Sequence, residues 1–214
     1  MSPKSIGRVM GALFLLAFVA YLTGGAMVEA ARHVSTGALL MLVNSAAVVG
    51  IGVLALPVLR RHHEVSAYAY VTGRAIEAVS LAVGVVFLLL LVPIAEEHRS
   101  AGPDDTIFPA LGRIAREGND YAYQIAMIAA AVAGVLFCRV LLRARLVPRF
   151  MAIWGLVGYV VFLAGSMLEV VGQPVGLVLS IPGGLFEVGL GLLLVVKGFP
   201  ASSASHEAAR PVPA

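Results

Sequence analysis

Three ionisable side chains stand inside stretches apolar enough to cross a membrane: Arg74, Glu77 and Glu187. A charge in hydrocarbon is costly, so such residues mark ligand or ion paths, proton relays or buried pairs. Arg74 and Glu77 are three apart, which puts them on one face of a helix. Glu187 lies ten residues from Lys197, about 15 Å by helical rise and hence near the midplane. Glu77, nine residues in from Tyr68, reaches a similar depth, with Arg74 about one turn shallower. Glu187 is therefore expected to face the third apolar segment, within hydrogen-bond or water-bridge reach of Arg74 or Glu77. Two kinds of chemistry fit. One is a ligand or proton site. The other is a structural pair that locks helix packing, with Arg74 snorkelling to the headgroups and a neutral Glu187 donating one hydrogen bond.

Secondary candidates surround this trio. Asn44 sits in the second apolar run and is expected to bond across to a neighbouring helix. Glu29 and Glu169 lie near the ends of the first and fifth runs and read as solvated ends, or as further site acids. Pro182, Gly183 and Gly184 precede Glu187, and they predict a bend or unwinding there, for packing or to open a site. Gly155, Gly158, Gly165 and Ser166 predict a smooth packing face on the fifth helix.

Other chemistries lack their residues. His33, His62, His63, His98 and His206 all fall in predicted loops or the tail, so no axial pair for a membrane haem exists. No HExxH, phosphate loop or GxSxG elbow occurs. Ser80, Ser166 and Ser180 have no intramembrane histidine as base. With Cys138 as the one cysteine, a CxxC pair and thiolate metal clusters are excluded. No metal, cofactor or nucleic acid is implied.

The elements that carry these residues follow from composition. Of 214 residues, 60% are apolar and 13% charged, where a soluble domain carries roughly 25% charged. Mean hydropathy is +0.95. Such a chain must put apolar surface against lipid. At about 20 residues per span there is material for about six. The predicted spans are Arg8–Val28, Gly37–Leu59, Tyr68–Ile94, Tyr121–Leu142, Phe150–Val171 and Gly176–Val196. The first resembles a signal peptide but shows no small-residue cleavage site, so it reads as a retained span. Residues 95–119 form the one substantial loop. In it Ile107, Phe108, Leu111 and Ile114 recur at helical spacing opposite Arg113 and Arg116. They predict a short interfacial helix over 107–117, capped by Asp105 or Thr106 with Pro109 in its first turn. The fold class is thus all-α, a six-helix transmembrane bundle forming a single domain over residues 1–199. The tail from Pro200 to Ala214, rich in Ala, Ser and Pro, is expected to be disordered.

Basic residues orient the bundle. Lys4, Arg8, Arg60, Arg61, Arg139, Arg143, Arg145, Arg149, Lys197 and Arg210 share one side, and Arg32, Arg99, Arg113 and Arg116 the other. Ten against four predicts both termini in the cytoplasm. The calculated pI of 9.3 reflects this bias. A weak internal repeat is also legible. Setting Arg8 against Arg149 aligns Gly24 with Gly165. A shift of two then aligns Gly37, Gly50 and Gly52 with Gly176, Gly189 and Gly191. The alternative is that Gly-rich apolar helices match each other easily.

The Arg74-x-x-Glu77 pair, the turn Arg145-Leu-Val-Pro148-Arg149, and the stretch from Pro182 to Glu187 closing at Lys197-Gly198 resemble the bacterial membrane family named domain of unknown function 4386. The resemblance covers about residues 6–199. It implies a multi-pass inner-membrane protein of about six helices, and no activity. Three functions stay open. The first is a structural or regulatory membrane component that binds lipid or a protein partner. The second handles a small ligand or ion, with proton coupling an option, through Arg74, Glu77 and Glu187. The third, an intramembrane enzyme, lacks a nucleophile–base set. The discriminator is whether the cluster touches a cavity or is dry and satisfied.

Overall fold

The computed structural model describes residues 1–30, 33–101, 106–173 and 175–200. Arg32, Asp105 and the tail beyond Pro200 lie outside them, and with them the expectations of an Asp105 cap and a disordered tail. Six helices account for nearly all of it: α1 (Pro3–Glu29), α2 (Val34–Leu59), α3 (Glu64–Ala101), α4 (Ile107–Arg143), α5 (Arg149–Val170) and α6 (Ile181–Lys197). All six are long and apolar enough to cross a membrane when α6 is counted from Val178. The protein is an integral, multi-pass membrane protein.

Each helix packs on its neighbours in the chain, and α6 closes back onto α1. The result is a ring in which α3 and α6 stand opposite each other. Short turns impose the sequential pairing. One example is His62–His63 after α2, where His63 Nδ1 accepts the amide of Ser66 at 3.1 Å and caps α3. The α1–α6 seam is closed by glycine. A Cβ on Gly11 would stand 2.6 Å from the Gly191 carbonyl oxygen, so the backbones touch where any side chain would separate them. Nearby, Gly198 takes φ +66° and lies against Lys4, a conformation and a space that only glycine fits. Behind this seam Met10, Phe14, Ile51, Leu59, Tyr70, Phe137, Phe186, Leu190 and Leu194 form the main core, on the side of the ring that carries the chain ends.

Three expectations are corrected. Residues 95–119 are not mainly a loop. α3 continues to Ala101 and α4 begins at Ile107, giving helices of 38 and 37 residues, about 57 and 55 Å long. A hydrocarbon core of about 30 Å cannot contain them, so the pair stands proud of it on the side away from the chain ends. Residues 107–117 are helical, but they form the opening turns of α4 rather than a separate short helix. Past the first turn no proline interrupts α4, and of the two glycines in its opening turns, Gly112 and Gly118, the second packs on the Phe87 ring. Thr106 holds the cap position, without a side-chain bond, and Pro109 falls in the first turn. His98 consequently lies in the last turn of α3, not in a loop.

The sixth span breaks earlier than expected. A 3-10 segment, Gly176–Ser180, leads into α6, and Pro182 occupies the first turn, where its missing amide costs no hydrogen bond. Gly183 and Gly184 lie within regular helix.

Candidate functional site

The interior of the ring brings the three predicted residues together. Arg74 and Glu77 project from α3, and Arg74 Nη1 donates to Glu77 Oε2 at 2.9 Å. Across the ring, Glu187 of α6 presents Oε1 to the same nitrogen at 3.5 Å. The helix faces were set by small residues: Gly52 of α2 packs on the Arg74 stem, and Gly73 sits on Ala133 of α4, which turns the next residue inward.

A fourth residue completes the cluster and was missed in the sequence. The Tyr159 hydroxyl on α5 donates to Glu187 Oε1 at 2.7 Å. Tyrosine in an apolar span carries no alarm of its own. The available signal was its position beside Gly155 and Gly158, on the small-residue face already read as packing surface. Arg74 also lies over two rings, with its guanidinium carbon 5.5 Å from the Phe14 centroid and 5.8 Å from that of Tyr70.

The shares of this cluster are unequal. The side chains of Arg74 and Glu77 are 3% and 7% exposed, whereas that of Glu187 is 30% exposed. Arg74 is neutralised chiefly by its helix neighbour, because the shorter contact is the stronger charge-assisted bond. Glu187 is left beside open space. Within the dense part of the cluster, Tyr70 Oη and Arg74 Nε have no hydrogen-bond partner among the described residues.

That space is a cavity of about 290 Å³ between the helices. Its polar lining is Arg74, Glu77, Glu187, Asn44 and Ser180 with the hydroxyls of Tyr21, Tyr123 and Tyr159. Everything else on the wall is apolar. Phe18 and Leu22 of α1, with Ile181 and Leu185 by the start of α6, line it and are also exposed on the outer surface. The cavity therefore opens sideways between α1 and α6, beyond the point where Gly11 and Gly191 seal them. Asn44 faces the cavity and, among the described residues, makes no bond across to another helix. Glu29 and Glu169 are not brought to the site. They end α1 and α5.

The cluster is polar, partly open and walled by apolar side chains. It can hold the polar end of a small molecule while its body lies against rings and aliphatic groups. No curated protein and no solved structure matches the chain. A family model does match, over residues 9–198, taking in α2 to α6, α1 from its second turn, and every residue of the cluster. The chain thus belongs to the membrane family described as Domain of unknown function (DUF4386).

Proposed function

We propose that this protein is a small-ligand-handling membrane protein of the bacterial inner membrane. Its ligand is mostly apolar, enters from the bilayer between α1 and α6, and places its polar end at Glu187. The single observation that carries this reading is the partly exposed carboxylate of Glu187 facing a lipid-accessible cavity. A purely structural pair would need neither the space nor the exposed acid. The lipid-binding half of the structural or regulatory reading survives here, since the ligand comes from the membrane. No particular observation favours a protein partner.

Gly184 offers a clean test. It lines the cavity, and a Cβ there would meet nothing within 4 Å. Gly184→Leu should reach into the space from a position with room at Cβ, and leucine is the better helix former by roughly 0.5–1 kcal/mol. Wild-type protein purified in mild detergent should carry a small membrane-derived molecule, detectable by native mass spectrometry. Gly184→Leu should lose it with an unchanged or higher Tm. Equal retention by both proteins would refute the cavity as the binding site.

A further inference from the structure

We propose that the ligand is an organic monocation: an amine or quaternary ammonium on an apolar body, held by Glu187 and the rings around it. The inference rests on the cavity being a binding site and names the chemical class that fits it.

Charge comes first. The ionisable acids and bases lining the cavity are Arg74, Glu77 and Glu187. One positive and two negative groups leave the ionised cluster at a net charge of −1. Arg74 is taken up by Glu77 at 2.9 Å, so the unbalanced charge sits on the acid that faces the space. An anionic ligand would meet like charge in a medium that screens it poorly. A neutral ligand would leave the carboxylate uncompensated. A monocation brings the site to neutrality.

The walls make the same choice. Phe14, Phe18, Tyr21, Tyr123, Tyr159 and Phe162 all line the cavity. Aromatic faces attract desolvated cations, and cages of such rings recognise quaternary ammonium groups. Within this cluster Phe14 and Tyr70 already hold the Arg74 guanidinium. At about 290 Å³ the space lies at the small end of ligand pockets, roughly 300–1,000 Å³, so the body of the ligand is compact.

The test uses three probes of one shape on the full chain in lipid nanodiscs: benzyltrimethylammonium, its neutral carbon isostere neopentylbenzene, and the anion benzylsulfonate. Binding is read by equilibrium dialysis against empty nanodiscs, which removes partition into lipid. The cation should bind at least roughly 10-fold more tightly than either other probe. Glu187→Gln should abolish that preference, and Glu187→Asp should keep part of it. Equal or tighter binding of the neutral isostere would overturn the cation assignment while leaving the cavity as a site, provided Gly184→Leu empties it. Tightest binding of the anion would overturn it too. If none of the three binds, the cavity reading itself falls. A preference that survives Glu187→Gln would remove Glu187 from the role. The wild-type comparison needs no variant, so it decides the charge question even if Glu187→Gln does not fold.

Discussion

Arg74 and Glu187 look like equal members of one ion pair until their distances are compared. Arg74 Nη1 is 2.9 Å from Glu77 and 3.5 Å from Glu187. The two residues should therefore respond differently to removal. Arg74→Ala leaves two acids facing each other in the ring interior, one of them buried, and should cost about 3–5 kcal/mol. Glu187→Ala leaves Arg74 paired and gives up one long contact and the hydrogen bond from the buried Tyr159 hydroxyl, for about 1–3 kcal/mol. Unfolding in mixed micelles, titrated with sodium dodecyl sulfate, would measure both. A larger loss for Glu187→Ala than for Arg74→Ala would show that the contact across the ring, not the pair within α3, holds Arg74.

At the level of elements, glycine decides where helices touch and where they part. α1 and α6 meet at Gly11 and Gly191, where the glycines remove any side chain from the crossing. Gly11→Val would force the helices apart, and overpacking of this kind costs about 1–3 kcal/mol. The Tm should fall accordingly, while Gly25→Val on the same helix, with nothing within 4 Å of its Cβ position, should leave it nearly unchanged. Similar losses at the two positions would mean that helix propensity rather than the crossing is at work. The two hairpins proposed as a repeat close differently. Gly24 packs on the Gly37 carbonyl in the first, whereas Gly165 packs on the side chain of Leu179 in the second, whose outgoing strand of helix begins as a 3-10 segment.

For the whole molecule, six spans among the described residues put the start of α1 and the end of α6 on one side, and Lys4 against Gly198 brings them together. From the bias of ten basic residues against four we propose that this side faces the cytoplasm. A reporter that is active only in the cytoplasm, fused after Ala214, should be active. A reporter that works only outside should be silent at the same position, and the opposite pair of results would invert the topology. The long α3–α4 pair would then project into the cytoplasm instead of away from it.

The number of spans and the common level of Arg74, Glu77 and Glu187 were legible along the chain, because hydropathy is a local property and helical rise converts position into distance along a helix. Polar stretches were harder to read. Residues 95–101 looked like loop because they lose hydropathy, and 107–117 read as a separate short helix, yet a helix makes its hydrogen bonds within itself and needs no lipid to continue. Glu96, Glu97, Arg99 and Ala101 are ordinary helix residues with no Gly or Pro among them. Tertiary structure alone decided the closure of α6 on α1, the entry of Tyr159 into the cluster and the cavity beside Glu187. Each of these depends on how the helices are rotated about their axes. That rotation is set by small-residue contacts between segments distant in the chain, as between Gly11 and Gly191, and it brings Arg74 to Glu187 across the ring. Composition along a single helix does not encode which neighbour its polar face will meet.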